Sequence, residues 1–329
     1  MQDLVENLEK YSISVKSEIN NFLSNISPNN LKKASIYLTE SNGKMLRPTL
    51  AIIICEAFGG SQKNAIKTAA AIELIHTFSL IHDDIMDKDA IRRGKPSVHK
   101  VWNENIAILA GDTLFSKAFE LISSAKDDVN STDHIHQTIA TISDACVKIC
   151  EGQALDIEFE KNFDIKKDEY LEMIFKKTGA LMAAATKSGA IIGGANQKEI
   201  ETIYEYGKLI GLAFQIQDDY LDLVGSEETL GKPVGSDIVK GKMTIIILHT
   251  LENGNPEDKE KLINILKNGK EDDISEALNI LNKYESLKYA GDLAKKYVDD
   301  AKKLLNILDD SPSKKLLLSI ADFVINRKK

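Results

Sequence analysis

Two segments of this chain read almost alike: LIHDDIMD at residues 80–87 and QIQDDYLD at residues 215–222. Each sets its aspartates among apolar residues, Leu80, Ile81 and Ile85 in the first copy and Ile216, Tyr220 and Leu221 in the second. On a helix, Asp83 and Asp87 lie one above the other on a single face, and so do Asp218 and Asp222. Charge runs are usually solvated faces. Two copies embedded in apolar sequence point instead to carboxylates turned inward, which repel one another and require a counter-charge. The donors are all oxygens, and the Glu-x-x-His pairs of a di-iron bundle occur in neither copy, so Mg²⁺ or Mn²⁺ is the natural cation. Arg92 and Arg93 follow the first copy directly. Hard cations between carboxylates and arginines imply a phosphate-bearing substrate.

Almost every segment has helical period, and no stretch alternates as a strand would. The pattern predicts helices over 3–24, from Ser27-Pro28 to near Asn42-Gly43, and from Pro48 to Gly59-Gly60. Ser61 caps a long helix over 62–87. Others follow at 98–102, 105–124, 131–160, 168–190 with a break near Thr178-Gly179, and 197–224. Gly225 to Lys242 is the longest irregular stretch. No composition shift marks a linker, and the aspartate copies are 135 residues apart, from Asp83 to Asp218, too far for a solenoid repeat. The expectation is one all-α domain over 1–329, a bundle of about ten or more helices around a deep central cavity with the acidic helices facing across it.

A net charge of −8 argues against nucleic acid as the main partner, so the basic residues that matter act locally. The N-terminal MQDLVENLEK has neither the basic nor the apolar region of a secretory signal, and no apolar run approaches the ~18 residues of a membrane span. Cys55, Cys146 and Cys150 lie in apolar helical patterns and read as buried thiols of a cytoplasmic protein.

Several residues are weak signals singly and coherent together. Lys44 and Arg47 lie between a helix end and a helix start, where an anion is welcome. His76 shares the helix face of Asp83, although a lone helical histidine is more often packing. Lys177 and Thr178 sit at a helix break that frees backbone carbonyls, with Gln215 as a further polar group. Lys232 and Lys242 bracket the glycine-bearing loop. The set supplies cations for two phosphate groups, acidic metal bridges and an apolar cavity.

DDIMD followed by RRG, with DDYLD and GKPVGSD later, resembles the trans-isoprenyl diphosphate synthases, or polyprenyl synthetases, from about Gly43 to Lys242. Phe78, five residues before the short first motif, is similar to the archaeal geranylgeranyl and farnesyl diphosphate synthases. Asn42 and Met45 stand where that family usually has a glycine and an arginine. The resemblance implies a catalytic set of Asp83, Asp84, Asp87, Lys177, Thr178, Gln215, Asp218, Asp219 and Asp222. Within it, Asp83, Asp87, Asp218 and Asp222 hold Mg²⁺, about three ions per site with Mn²⁺ able to substitute, and Asp84 and Asp219 support them. Lys44, Arg47, His76 and Arg93 bind isopentenyl diphosphate. Arg92, Lys177, Lys232 and Lys242 contact the allylic diphosphate, with Thr178 and Gln215 beside the reacting carbons.

The implied reaction is head-to-tail condensation of isopentenyl diphosphate with C5, C10 and C15 allylic diphosphates by a homodimer. Phe78, with its neighbour Ser79, sets product length at C20, with C15 also released. Arg327-Lys328-Lys329 either closes over diphosphate or is a solvated tail. Competing readings are a regulatory subunit of a heteromeric prenyl synthase, against which both motifs are complete, and a terpene cyclase, whose second metal motif would mix Asn, Ser/Thr and Glu.

Overall fold

The computed structural model describes residues 2–41, 43–125, 132–225 and 234–327. Along them the chain forms α1 (Gln2–Leu23), α2 (Asn29–Tyr37), α3 (Leu46–Ala57), α4 (Gln62–Met86), the two-residue strands β1 (Ile91–Arg92) and β2 (Lys95–Pro96), α5 (Val98–Val101), α6 (Glu104–Ser123) and α7 (Thr132–Phe159). There follow α8 (Lys167–Ile174), a π-turn (Phe175–Gly179), α9 (Ala180–Gly193), α10 (Gln197–Val224), α11 (Ser236–Lys240), α12 (Ile245–Asn253), α13 (Pro256–Asn268), α14 (Ile274–Lys283), α15 (Ser286–Leu304) and α16 (Pro312–Asn326). The fold is all-α, as the periodicity predicts. Among the described residues no helix is long and apolar enough to cross a membrane.

Three local differences from the sequence reading have physical causes. Helix α2 stops at Tyr37, short of Asn42-Gly43. There Thr39 Oγ1 donates to the carbonyl of Ile36 and Ser41 Oγ to that of Leu38, so hydroxyls share these acceptors with the Glu40 and Ser41 N–H groups as the helix ends. Helix α3 begins at Leu46 and carries Pro48 in its first turn, where a missing N–H costs no bond. The strands pair antiparallel around Arg93 and Gly94, whose φ values of 53° and 74° suit a mirror-image hairpin turn. Strands of two residues are too short for alternation to register.

By their internal contacts the residues form two compact units, each assembled from separated stretches of chain. The first comprises Met1–Val147, Leu181–Gly207 and Leu304–Ile320. Helix α4 is its centre, packed by α1, α3 and α6. Ala69 to Ile75 are all buried on it, so it has no solvent face over two turns, as expected of a helix surrounded by others. Ser61 N and Oγ both donate to Asn64 Oδ1, at 3.0 and 2.6 Å, and fix its start. Its 25 residues span roughly 37 Å and deliver the first aspartates at the far end.

The second unit comprises Lys148–Ala180, Lys208–Lys303 and Ala321–Lys329. Tyr170, Leu212, Ile216, Ile245, Leu262 and Leu281 form part of its core. The predicted break near Thr178-Gly179 is the π-turn, where the Ala180 N–H donates five residues back to the Phe175 carbonyl. Helix α7 runs against this turn at Gly152. A Cβ there would stand 2.2 Å from the Lys177 nitrogen and 2.7 Å from the Lys176 carbonyl carbon. Backbone cannot yield as a flexible side chain does, so only glycine permits the approach. Cys55 and Cys146 are buried as expected, whereas Cys150, on an outward position of α7, is exposed.

Gly152→Ala forces α7 and the π-turn apart and lowers unfolding stability by about 1–3 kcal/mol, the usual cost of overpacking. Urea denaturation monitored by circular dichroism reads the loss, and an unchanged midpoint would show the contact yields freely.

Candidate active site

The residues singled out in the sequence fall into two groups, one in each unit. In the first, the last turn of α4 carries Asp83 and Asp84, and Asp87 closes it. Adjacent residues point about 100° apart around a helix, so Asp84 parts company with Asp83 and Asp87. Asp84 is buried, while Asp83 and Asp87 are half-buried. Arg92, on the hairpin, donates to Asp84 Oδ1 from Nε at 2.7 Å and also from Nη2. Burial pushes the Asp84 carboxyl up, with the Arg92 guanidinium pulling it back. Asp84 Oδ2 is buried without a partner among the described residues.

The hairpin turn sends Arg93 toward the segment bearing Lys44. Arg93 Nη1 donates to Ser41 Oγ at 3.0 Å, and its guanidinium lies so close to Gly43 that a Cβ there would stand 2.7 Å from Nη1. Arg47 Nη1 lies 3.4 Å from His76 Nε2. Burial holds His76 well below the usual histidine value, and Arg47, Arg93 and Arg92 lower it further, so the ring is neutral and its Nε2 accepts from Arg47. One turn earlier is Glu73, 2% exposed. Burial raises its carboxyl to about 7, against the pull of Arg93, Arg47 and Lys16. Phe78 meets Phe115 edge-on with centroids 5.1 Å apart, and Phe115 meets Phe119 at 5.2 Å. Ser79 Oγ donates back to the His76 carbonyl.

In the second group, Thr178 Oγ1 donates to Gln215 Oε1 at 2.8 Å, and Gln215 Nε2 donates to Asp219 Oδ1 at 2.9 Å. The Tyr170 hydroxyl donates to Asp219 Oδ2. Asp219 is buried, which lifts its carboxyl to about 8, with Asp237 adding to the rise and Tyr170 and Gln215 opposing it. Lys177 Nζ lies 2.6 Å and Lys242 Nζ 3.4 Å from Asp156 Oδ2.

Asp218 is the most open of its cluster, its side chain 43% exposed, and pairs at 2.5 Å with Arg327 Nη2. That nitrogen also donates to the Phe214 carbonyl at 2.7 Å, and the guanidinium lies over the Phe214 ring. Arg327 is 6% exposed, so the solvated-tail reading does not hold for it. Asp222 is turned inward, accepting from Ser236 Oγ at 2.7 Å and from the Asp237 N–H at 3.0 Å, where it caps α11. Lys232, Lys328 and Lys329 lie outside the described residues.

Among the described residues no cluster of three His, Cys, Asp or Glu side chains is able to hold a metal ion by itself. The oxygen-only donors nonetheless fit a cation such as Mg²⁺, which keeps waters and takes one or two carboxylates plus phosphate oxygens rather than a protein cage. Half-open Asp83, Asp87 and Asp218 suit that use. Glu73, Asp156 and Tyr170 escaped the sequence reading. Glu73 alone left a trace, as a charge inside the apolar run AAAIELI.

Known proteins resemble this chain over nearly its whole length. The family profile described as polyprenyl synthetase matches residues 28–281. A short chain isoprenyl diphosphate synthase of Methanothermobacter thermautotrophicus is 50% identical, with all of both chains covered. The crystal structure of a geranylgeranyl pyrophosphate synthetase from Pyrococcus horikoshii is 42% identical, covers 99% of each chain and superposes with a TM-score of 0.94. A polyprenyl synthase from Caulobacter crescentus, crystallised with calcium and isoprenyl diphosphate, is 31% identical with a TM-score of 0.89, covering 99% of this chain and 98% of its own.

Glu73 gives a test by pH. With its carboxyl raised from 4.5 to about 7, the folded chain keeps a proton that the unfolded chain has released. Its contribution to stability is therefore greatest at low pH and falls as pH rises from about 4.5 through about 7. Glu73→Gln removes this dependence and gains about 3 kcal/mol over the parent between pH 4 and pH 8, read from urea unfolding at each pH. Parallel profiles for the two proteins would reject the assignment.

Proposed function

The chain belongs to the polyprenyl synthetase family, and on that premise we propose that it is a prenyltransferase joining isopentenyl diphosphate head-to-tail to allylic diphosphates of C5, C10 and C15. The product is all-trans geranylgeranyl diphosphate, with farnesyl diphosphate also released. The observation that carries this reading is the doubled aspartate motif, each copy near the end of a long helix with cationic side chains in its own unit.

Asp83, Asp87, Asp218 and Asp222 would be the oxygen donors for Mg²⁺ taken up with the allylic diphosphate. When bound, Mg²⁺ offsets the negative charge that builds on the leaving diphosphate. Arg92, Lys177, Lys242 and Lys232 contact that same diphosphate and stabilise the developing charge through fixed donors. Lys44, Arg47, His76 and Arg93 take the isopentenyl diphosphate. Neutral His76 aims the Arg47 guanidinium by accepting from it.

Carbon–oxygen cleavage leaves a delocalised allylic cation. Thr178 Oγ1 donates a hydrogen bond to Gln215 Oε1, so the lone pairs of the hydroxyl oxygen remain for that cation. Apolar walls exclude the water that would capture it. The alkene of isopentenyl diphosphate, held close, attacks it, which is a task of positioning. The proton then lost passes to the departing pyrophosphate, and no protein base is required.

The growing tail follows α4 past Ser79 to Phe78, whose ring limits its length with Phe115 and Phe119 behind it. The assembly is a homodimer in the cytoplasm. Exposed Val101, Ile108 and Leu109 on α5 and α6 give a second copy apolar surface to cover.

The test is condensation by the purified protein of radiolabelled isopentenyl diphosphate with each allylic partner and Mg²⁺. Asp83→Ala and Asp218→Ala each lower turnover at least about 10²–10³-fold, with helicity unchanged by circular dichroism. Retained Mg²⁺-dependent turnover in both would remove the central argument. Phe78→Ala lengthens the products on chromatography, and an unchanged distribution would sink its role as the floor.

A further inference from the structure

Two lysines reach one carboxylate oxygen from different parts of the second unit. Lys177 comes from the π-turn and Lys242 from the segment after α11, and both ammonium groups converge on Asp156 Oδ2, at 2.6 and 3.4 Å. All three side chains are largely buried, Asp156 at 13% exposure and the lysines at 21% and 22%. The lysines in turn hold the Asp156 carboxyl below the usual aspartate range in spite of its burial, Lys242 and then Lys177 contributing most.

The approach is prepared by the chain itself. Gly152 brings α7 against the Lys177 backbone, and Asp156, one turn further on the same face, meets the Lys177 side chain. Between them Gln153 is 6% exposed, with neither Oε1 nor Nε2 bonded among the described residues. A buried amide left so is costly unless a ligand or water completes it.

Two ammonium groups this close repel each other, and a diphosphate needs both at once. We infer that Asp156 is a positioning residue, gathering Lys177 and Lys242 into the paired arrangement that receives the allylic diphosphate, each ammonium keeping its contact with Asp156 while its remaining N–H donors meet phosphate oxygens. Asp156 touches no reacting atom. It spares the substrate the cost of ordering two flexible cations against their mutual repulsion. The inference rests on the proposed role of the two lysines at the allylic diphosphate.

Asp156→Asn keeps the shape and removes the charge. Measured with geranyl diphosphate, isopentenyl diphosphate and Mg²⁺, it raises the allylic KM about tenfold, leaves the isopentenyl KM within about twofold, and weakens calorimetric binding of inorganic pyrophosphate with Mg²⁺ by the same factor. Asp156→Glu, which keeps the charge but displaces it, gives an intermediate rise. If the Asn variant fails to fold, the Glu variant carries the test, with the allylic KM rising about threefold and the isopentenyl KM unmoved. Equal changes in both KM values, no change, or a tighter allylic KM would overturn the inference. Lys177→Ala and Lys242→Ala separate the two levels of argument. If neither raises the allylic KM, the reading of the lysine site itself fails. If both raise it while Asp156→Asn does not, only the role of Asp156 fails.

Discussion

A helix comes into van der Waals contact with another stretch of backbone only where a side chain is missing, and at Gly152 that contact decides the architecture of the second unit's polar centre. The turn it touches is wound with π spacing, which displaces the residues after it relative to a continuous α-helix. Lys177 and Thr178 lie within that turn. From Thr178 the hydrogen bonds run in one sense, to Gln215 and then to Asp219, because the Gln215 amide nitrogen only donates and its oxygen only accepts. Tyr170 closes the series from the other side. One absent methyl group therefore fixes where a cation and a hydroxyl stand, and the Gln215 amide fixes which way the hydroxyl faces.

The two aspartate motifs solve like-charge repulsion in the same manner. In each, the second aspartate points away from its neighbours into the interior and is held by protein donors, Arg92 for Asp84 and Tyr170 with Gln215 for Asp219. Burial raises both carboxyls above the ordinary aspartate value. The remaining carboxylates differ between the copies. Asp83 and Asp87 are both half-open, whereas Asp218 is open and Asp222 serves as a cap for α11. Near-identity of sequence thus conceals a difference in how the third aspartate is used. Any cation at Asp222, as proposed, would have to compete with the capped helix end for its oxygens.

The features legible in the sequence were those with a local cause. Helical period, the capped start of α4 at Ser61 and the break near Thr178-Gly179 all depend on a few neighbouring residues. The aspartates and arginines were legible because charge in apolar sequence demands an explanation. Asp156 and Tyr170 were not, since each takes its meaning from a partner far along the chain, Lys242 in one case and Asp219 in the other. The end of α2 was misplaced because Thr39 and Ser41 look unremarkable until their hydroxyls are seen bonding back to Ile36 and Leu38. Arg327 looked like part of a basic tail, and only the fold lays it over Phe214 beside Asp218.

The rings of Phe78, Phe115 and Phe119 stand edge to face in series across α4 and α6. A barrier built of successive rings behaves differently from a single wall. On the proposed role of Phe78 as the floor, a lipid tail descending α4 would not meet the rings behind it while Phe78 is in place, and changes at Phe115 or Phe119 would be hidden from it. Once Phe78 is gone, they would become decisive. The effect of each position would then depend on which others have already changed, so the order of substitutions would shape the outcome. A lineage drifting in product size on such a scaffold would move in steps and along a restricted path, with the outermost ring as the gate to every later change.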